Sequence, residues 1–187
     1  DSSDVFIFYA GHGAPGLKDS KNGVVSGYFV PTDASIVSLE RVSYPQKVFF
    51  ENIAKLPARS VTVVLDACFS GAGAGKGKET IKNISSIGIK AKGMKGVKNG
   101  VLFTSSSKDE PSRWYSTKYH GLFTYYFLNA LKNLKATDQN NDGKITYKEL
   151  YRNIIDGNNL PFALRKLHDG NPQTPQISGK NKDKVFL

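Results

Sequence analysis

Ser60-Val61-Thr62-Val63-Val64-Leu65-Asp66-Ala67-Cys68-Phe69-Ser70-Gly71 decides the fold. It opens as a continuous β-branched and aliphatic run and closes on small residues and glycine, the pattern of a central parallel strand covered on both faces. The chain's single cysteine therefore stands where a buried strand ends. In open α/β sheets the crevice beyond the carboxyl ends of the strands is where ligands bind, so this thiol is placed for chemistry. Asp4-Val5-Phe6-Ile7-Phe8-Tyr9-Ala10 repeats the buried-strand pattern and ends in Gly11-His12-Gly13, which sets an imidazole at the end of a second strand.

Phe8-Tyr9-Ala10-Gly11-His12-Gly13 and Leu65-Asp66-Ala67-Cys68-Phe69-Ser70-Gly71 resemble the histidine and cysteine boxes of the caspase-like cysteine peptidases, nearer to prokaryotic metacaspase relatives than to animal caspases. Cys68 follows His12 by 56 residues, and in caspases the separation is about 50. The likeness continues through Gly27-Tyr28-Phe29-Val30-Pro31-Thr32-Asp33, His120-Gly121-Leu122-Phe123-Thr124-Tyr125 and Gln173-Thr174-Pro175-Gln176. It implies an α/β fold, a three-layer α-β-α sandwich with a mostly parallel central sheet. It also implies one catalytic domain over 1–187, with a large-subunit-like part at 1–71, a processing loop at 72–99 and a small-subunit-like part at 100–187. Caspase-like domains carry further strands and helices before the histidine box, so an N-terminal segment of the same domain is expected to be removed, disordered or held in a separate chain.

With 187 residues and 39% apolar composition, one domain with a sizeable core is expected. No run approaches the roughly 18 apolar residues of a membrane span, and no signal peptide is visible. A single cysteine excludes an internal disulfide framework and suits a reducing compartment, so a soluble cytoplasmic protein is expected. The formal charge of +10 would attract polyanions, but much of it lies in one place. Between Gly71 and Asn99 stand seven lysines, Lys76, Lys78, Lys82, Lys90, Lys92, Lys95 and Lys98, against the single acid Glu79. No aromatic-interleaved platform or arginine-studded helix accompanies them, so neither a specific nucleic-acid partner nor a membrane partner is expected.

Along the chain, Ala14 to Val24 reads as a loop over the site, Gly27 to Val30 as a short strand ended by Pro31, and Ser38 as the cap of a helical turn. Pro45 to Leu56 reads as a helix with Val48, Phe49, Asn52, Ile53 and Leu56 near one face. With its flanking strands it forms a parallel crossover unit. Gly71 to Gly100 carries seven glycines up to Gly96 and no sustained period, the composition of a long loop that is either functional or disordered, a cleavage site or a solvated insertion. Val101 to Thr104 is the next buried strand, Lys108 to Lys118 a loop or hairpin, and Gly121 to Leu134 a helix with Leu122, Tyr125, Tyr126 and Asn129 on neighbouring turns. Helices over Tyr147 to Ile155 and Pro161 to Leu167 and a short final strand over Lys184 to Leu187 complete the reading.

A thiol becomes a competent nucleophile as its thiolate, which an adjacent imidazole favours before protonating the leaving amine. Cys68 would attack a peptide carbonyl, with His12 as its acid and base. Gly13 and the amide of Cys68 match the oxyanion donors of the family. Asp66, two residues before the nucleophile along a strand, points to the same face as Cys68. A carboxylate there favours a cationic P1 side chain, and the resemblance to metacaspases and paracaspases implies cleavage after arginine or lysine. The other reading of Asp66 is a carboxylate satisfied by local backbone donors. Asp109 and Glu110 resemble a metacaspase position bordering this pocket, and Ser105 and Trp114 are further wall candidates. Arg113 would favour the opposite charge.

Asp138-Gln139-Asn140-Asn141-Asp142-Gly143-Lys144-Ile145-Thr146-Tyr147-Lys148-Glu149 fits the twelve-residue EF-hand loop at its ligand positions. Oxygen side chains fall at Asp138, Asn140 and Asp142, with Gly143 at the sharp turn. Lys144 would offer its carbonyl, Thr146 a direct or water-mediated contact, and Glu149 two oxygens. Calcium prefers this all-oxygen shell, and a single copy points to a structural ion. The alternative is a polar turn between helices. His120 and His168 lack metal-ligand spacing, and no organic cofactor is expected. The functional expectation is a cysteine endopeptidase acting on polypeptides with arginine or lysine at P1, processed in its own Lys-rich loop. Its rival is a catalytically silent caspase-like binding module.

Overall fold

The alternation of side chains along Ser60–Cys68 (β4) places Val61, Val63, Leu65 and Ala67 on one face and Thr62, Val64, Asp66 and Cys68 on the other. Both faces are covered: Val63, Val64 and Leu65 are fully buried, and each such side chain contributes about 1.5–3 kcal/mol relative to exposure. The structure, a computed structural model, describes residues 3–15, 27–35, 38–69, 97, 99–107 and 110–187, without the side chains of 15 and 40. Most of the expected loop over 14–24 and nearly all of the Lys-rich loop lie outside these residues.

β4 pairs in parallel with Asp4–Pro15 (β1) over nine residue positions and with Gly100–Thr104 (β5) over five. Antiparallel strands extend this parallel centre on both sides. Gly27–Val30 (β2) pairs with the last four residues of β1, Tyr44–Pro45 (β3) with β2, and Gln176–Ser178 (β8) with β5. Among the described residues the order β3-β2-β1-β4-β5-β8 makes a mixed sheet of six strands. A second, two-stranded ribbon joins Trp114–Tyr115 (β6) to His120–Gly121 (β7) around the turn Ser116–Lys118, where a hairpin is expected.

Helices cover the two faces. On one, Gln46–Ile53 (α2) packs Phe50 and Ile53 against Phe29, Val61, Val63, Leu65 and Leu102. The short helix Leu39–Val42 (α1) precedes it; Ser38 stands at its cap without a side-chain hydrogen bond. On the other face Leu122–Lys132 (α3), Tyr147–Ile155 (α5) and Leu160–Leu167 (α6) bury Phe123, Phe127, Leu150, Ile154, Leu160 and Leu164 against Val64, Val101 and Phe103. This is the expected α-β-α sandwich. Leu134–Thr137 (α4) follows α3 after Asn133, so the helix expected up to Leu134 ends at Lys132.

Three details differ from the sequence reading. The buried face of α2 is Gln46, Phe50 and Ile53 while Val48 is exposed, because the helix starts after Pro45 and turns its i, i+4, i+7 positions to the sheet. In α3, Leu122, Phe123, Thr124, Phe127 and Ala130 are buried; Tyr125 and Tyr126 are half-buried and stack edge-on against each other. The final strand is β8, not Lys184–Leu187. There only Val185 bridges Thr146, while Phe186 packs on Tyr147 and its amide donates to the Ile145 carbonyl. Among the described residues no helix is long and apolar enough to cross a membrane.

Candidate active site

His12 and Cys68 are register partners at the end of the β1–β4 parallel ladder. Register partners on adjacent strands project to the same side of a sheet, and the strands stand about 4.8 Å apart. The imidazole and the sulfur therefore rise from neighbouring backbones on the α3 face, which also carries Asp66. Tyr9 fixes the end of β1 by donating its hydroxyl to the His12 carbonyl at 2.8 Å. His12 itself is exposed, and Cys68 is partly buried. Gly13 lies so close to Cys68 and Phe69 that a Cβ there would run into the Phe69 ring and within 2.6 Å of the Cys68 carbonyl oxygen. Only glycine lets β1 approach the end of the Cys68 strand this closely.

The Cys68 sulfur accepts a hydrogen bond from the Ser112 N–H at 2.7 Å, and the thiol donates to the Ser112 carbonyl at 3.4 Å. Burial pushes the thiol's pKa up and the Ser112 backbone and side-chain bonds pull it down; the Asp66 charge adds to the rise and Arg113 opposes it. Arg113 donates its backbone N–H to the Gln173 side chain at 2.9 Å. Its side-chain Nε is buried without a partner.

Asp66 is buried beneath this loop. Its Oδ2 accepts from the Thr124 hydroxyl at 2.6 Å and the Thr124 N–H at 3.1 Å, at the first turn of α3. Burial raises its pKa; the Thr124 bonds, and the Ser105 and Ser112 hydroxyls beyond them, work the other way. The carboxylate also explains Gly121, because a Cβ at that position would collide with Oδ2.

The other expected wall residues divide. Ser105 is fully buried, and its hydroxyl bonds that of Ser112 above Asp66. Trp114 is 54% exposed on β6, its carbonyl facing the His168 ring at 3.2 Å. Glu110 turns toward the approach to β8, accepting from the Thr174 hydroxyl at 3.0 Å and the Ser107 N–H at 3.3 Å. Burial raises its pKa, but the bonds from Thr174 and Ser107 outweigh that and leave it lowered. Asp109 lies outside the described residues. His120 is exposed on β7. Sequence reasoning missed Ser112, which carries no local signal. It quoted Thr124 and Gln173 only as part of a resemblance.

Between α4 and α5, the loop from Asp138 to Glu149 folds on its own side chains. Asp138 accepts from the amides of Asp142 at 3.2 Å and Gly143 at 2.9 Å, Asn140 from Asp142, and Asp142 from Lys144. Gly143 has φ +78° with open space where a Cβ would stand. Thr146 and Glu149 form a reciprocal capping box at the start of α5, and Glu149 also accepts from Gln139 and Asn140. The Thr146 amide is the main reason its pKa is lowered. Among the described residues no three His, Cys, Asp or Glu side chains come together as a metal-binding group by themselves.

A six-stranded sheet between helices, with a histidine and a cysteine closing two adjacent parallel strands, defines a cysteine-peptidase-like α/β sandwich. The family model of the caspase domain matches residues 1–186, and the chain belongs to this family of cysteine peptidases. No curated protein matches it.

Proposed function

We propose that the chain is a cysteine endopeptidase that hydrolyses polypeptides after arginine or lysine through His12 and Cys68. The observation that carries the reading is the pairing of His12 with Cys68 in one register, on the face where Asp66 is buried two residues before the thiol. His12 takes the thiol proton and the sulfur attacks the P1 carbonyl. The N–H groups of Gly13 and Cys68 are the donors for the oxyanion. Collapse of the tetrahedral intermediate breaks the C–N bond, and His12 returns the proton to the departing amine. His12 then removes a proton from the water that releases the acyl group from sulfur.

Asp66 is the acid for the P1 cation. Burial penalises its charge, and the positive charge of an arginine or lysine entering over it would offset that penalty. Access requires the Ser112 hydroxyl to move aside. The wild-type chain is expected to cleave fluorogenic arginyl and lysyl peptides and not aspartyl ones, with Cys68→Ala inactive. Equal background from both proteins would favour the silent binding module. Intact-mass measurement after incubation is expected to show cuts after lysines in 72–99 in the wild type only.

The Asp138–Glu149 loop supports a second proposal, a stabilising calcium ion held by Asp138, Asn140, Asp142, the Lys144 carbonyl, Thr146 and Glu149. The all-oxygen donor set and the left-handed Gly143 fit that ion, with Glu149 exchanging its hydrogen bonds to Gln139 and Asn140. Calcium is expected to raise the unfolding temperature of the wild type and not of Glu149→Gln. A shift of equal size in both would remove the site.

A further inference from the structure

Behind the thiol runs a continuous polar path that the reaction above does not use. Gln173 is 2% exposed, yet it belongs to the irregular segment before β8 and its side chain spans two structures. Its Nε2 donates to the Ser105 carbonyl at 3.0 Å, just past the end of β5, and its Oε1 accepts the Arg113 N–H at 2.9 Å. Ser105 is itself tied to β4, since its N–H donates to the Leu65 carbonyl at 2.9 Å. One residue further, Glu110 takes the Thr174 hydroxyl and amide on its carboxylate. From the other end, the Leu122 N–H donates to the Arg113 carbonyl at 2.7 Å, fastening the loop to the start of α3.

The residue inside this clasp is Ser112. Its N–H points at the Cys68 sulfur, and that bond exists only while the backbone from 110 to 113 is held at this height above β4. Gln173 touches neither Cys68 nor His12 by any hydrogen bond. From these contacts we infer that Gln173, with Glu110, is a positioning residue that holds the Ser112 amide on the nucleophile and so favours the thiolate of Cys68. A backbone N–H aimed at sulfur stabilises the charged form more than the neutral one. Burial makes that donor worth more than in water. The charged and titratable groups facing the sulfur are His12 from β1, Asp66 from β4 and Arg113 from the loop. Of these, Arg113 is held in the clasp by its own N–H and carbonyl, so its charge is positioned together with the Ser112 amide, whereas His12 and Asp66 stand on the strands outside it.

The inference rests on Cys68 being the nucleophile, and its test does not require turnover. The pH dependence of Cys68 alkylation by iodoacetamide, read by intact mass on the full chain, reports thiolate formation directly. Gln173→Ala is expected to move the alkylation midpoint to higher pH and to slow alkylation about tenfold at neutral pH, the size of one hydrogen bond to a charged group. Glu110→Gln, which keeps its shape and loses the charge on Thr174, is the second variant and is expected to shift the midpoint the same way. A merely structural role would lower the unfolding temperature and leave the alkylation midpoint where it was. Unchanged midpoints in the variants that fold would overturn the inference. An inactive wild type with a shifted Gln173→Ala midpoint would overturn only the peptidase reading.

Discussion

At the residue scale, Asp66 sets the demands of folding against the recognition role proposed for it. Its carboxyl is buried on Thr124, and its pKa in the fold is raised above the ordinary 3.8. The sign follows from linkage: a raised acid contributes its stability below the unfolded value and loses it as pH climbs through the folded one. Asp66→Asn is therefore expected to leave unfolding temperature nearly unchanged around pH 3 and to raise it at pH 7. The same variant is expected to lose about 100-fold in kcat/KM on arginyl peptides, the scale of an unpaired buried polar contact. Paired thermal and kinetic measurements check both halves. Asp66 was legible in sequence because strand alternation put it on the side of Cys68. Its partners were not, since Thr124 lies 58 residues away on a helix and nothing local marks Ser112 as the residue against the sulfur.

At the element scale, strands read more truly than helix faces. The apolar runs of β4 and β5 left little choice, whereas α2 and α3 carry aromatics around much of their circumference and their rotation was settled by the sheet they meet. The last strand escaped for a related reason. Gln176–Ser178 is three residues long, too short for alternation to mark it, and β5 recruits it through three backbone pairs. At α5 the local rule did hold: Thr146 and Glu149 close a capping box. Thr146→Ala is expected to cost about 1 kcal/mol in urea unfolding at pH 7. The lowered pKa of Glu149 gives a contribution complete above the ordinary 4.5 and lost as pH falls through the folded value, so the penalty of the variant is expected to shrink under acid conditions.

At the scale of the whole molecule, the two helical layers are joined to the sheet differently. The α2 face is apolar apart from Gln46, while the opposite face adds a buried hydroxyl pair, Thr62 with Tyr147, at 2.6 Å. Tyr147→Phe leaves Thr62 without that partner in the core and is expected to destabilise by about 1–3 kcal/mol in equilibrium denaturation, with α5 losing hydrogen-exchange protection first. The β1–β4 ladder also has a kinetic meaning. It joins positions 56 apart through nine parallel pairs, and long-range parallel pairing is slow to form. A slip of one residue would send the imidazole and the sulfur to opposite sides. On the proposed reading, a half-made chain or one mispaired by a single step would hold thiol and imidazole apart, and the couple would wait on correct assembly.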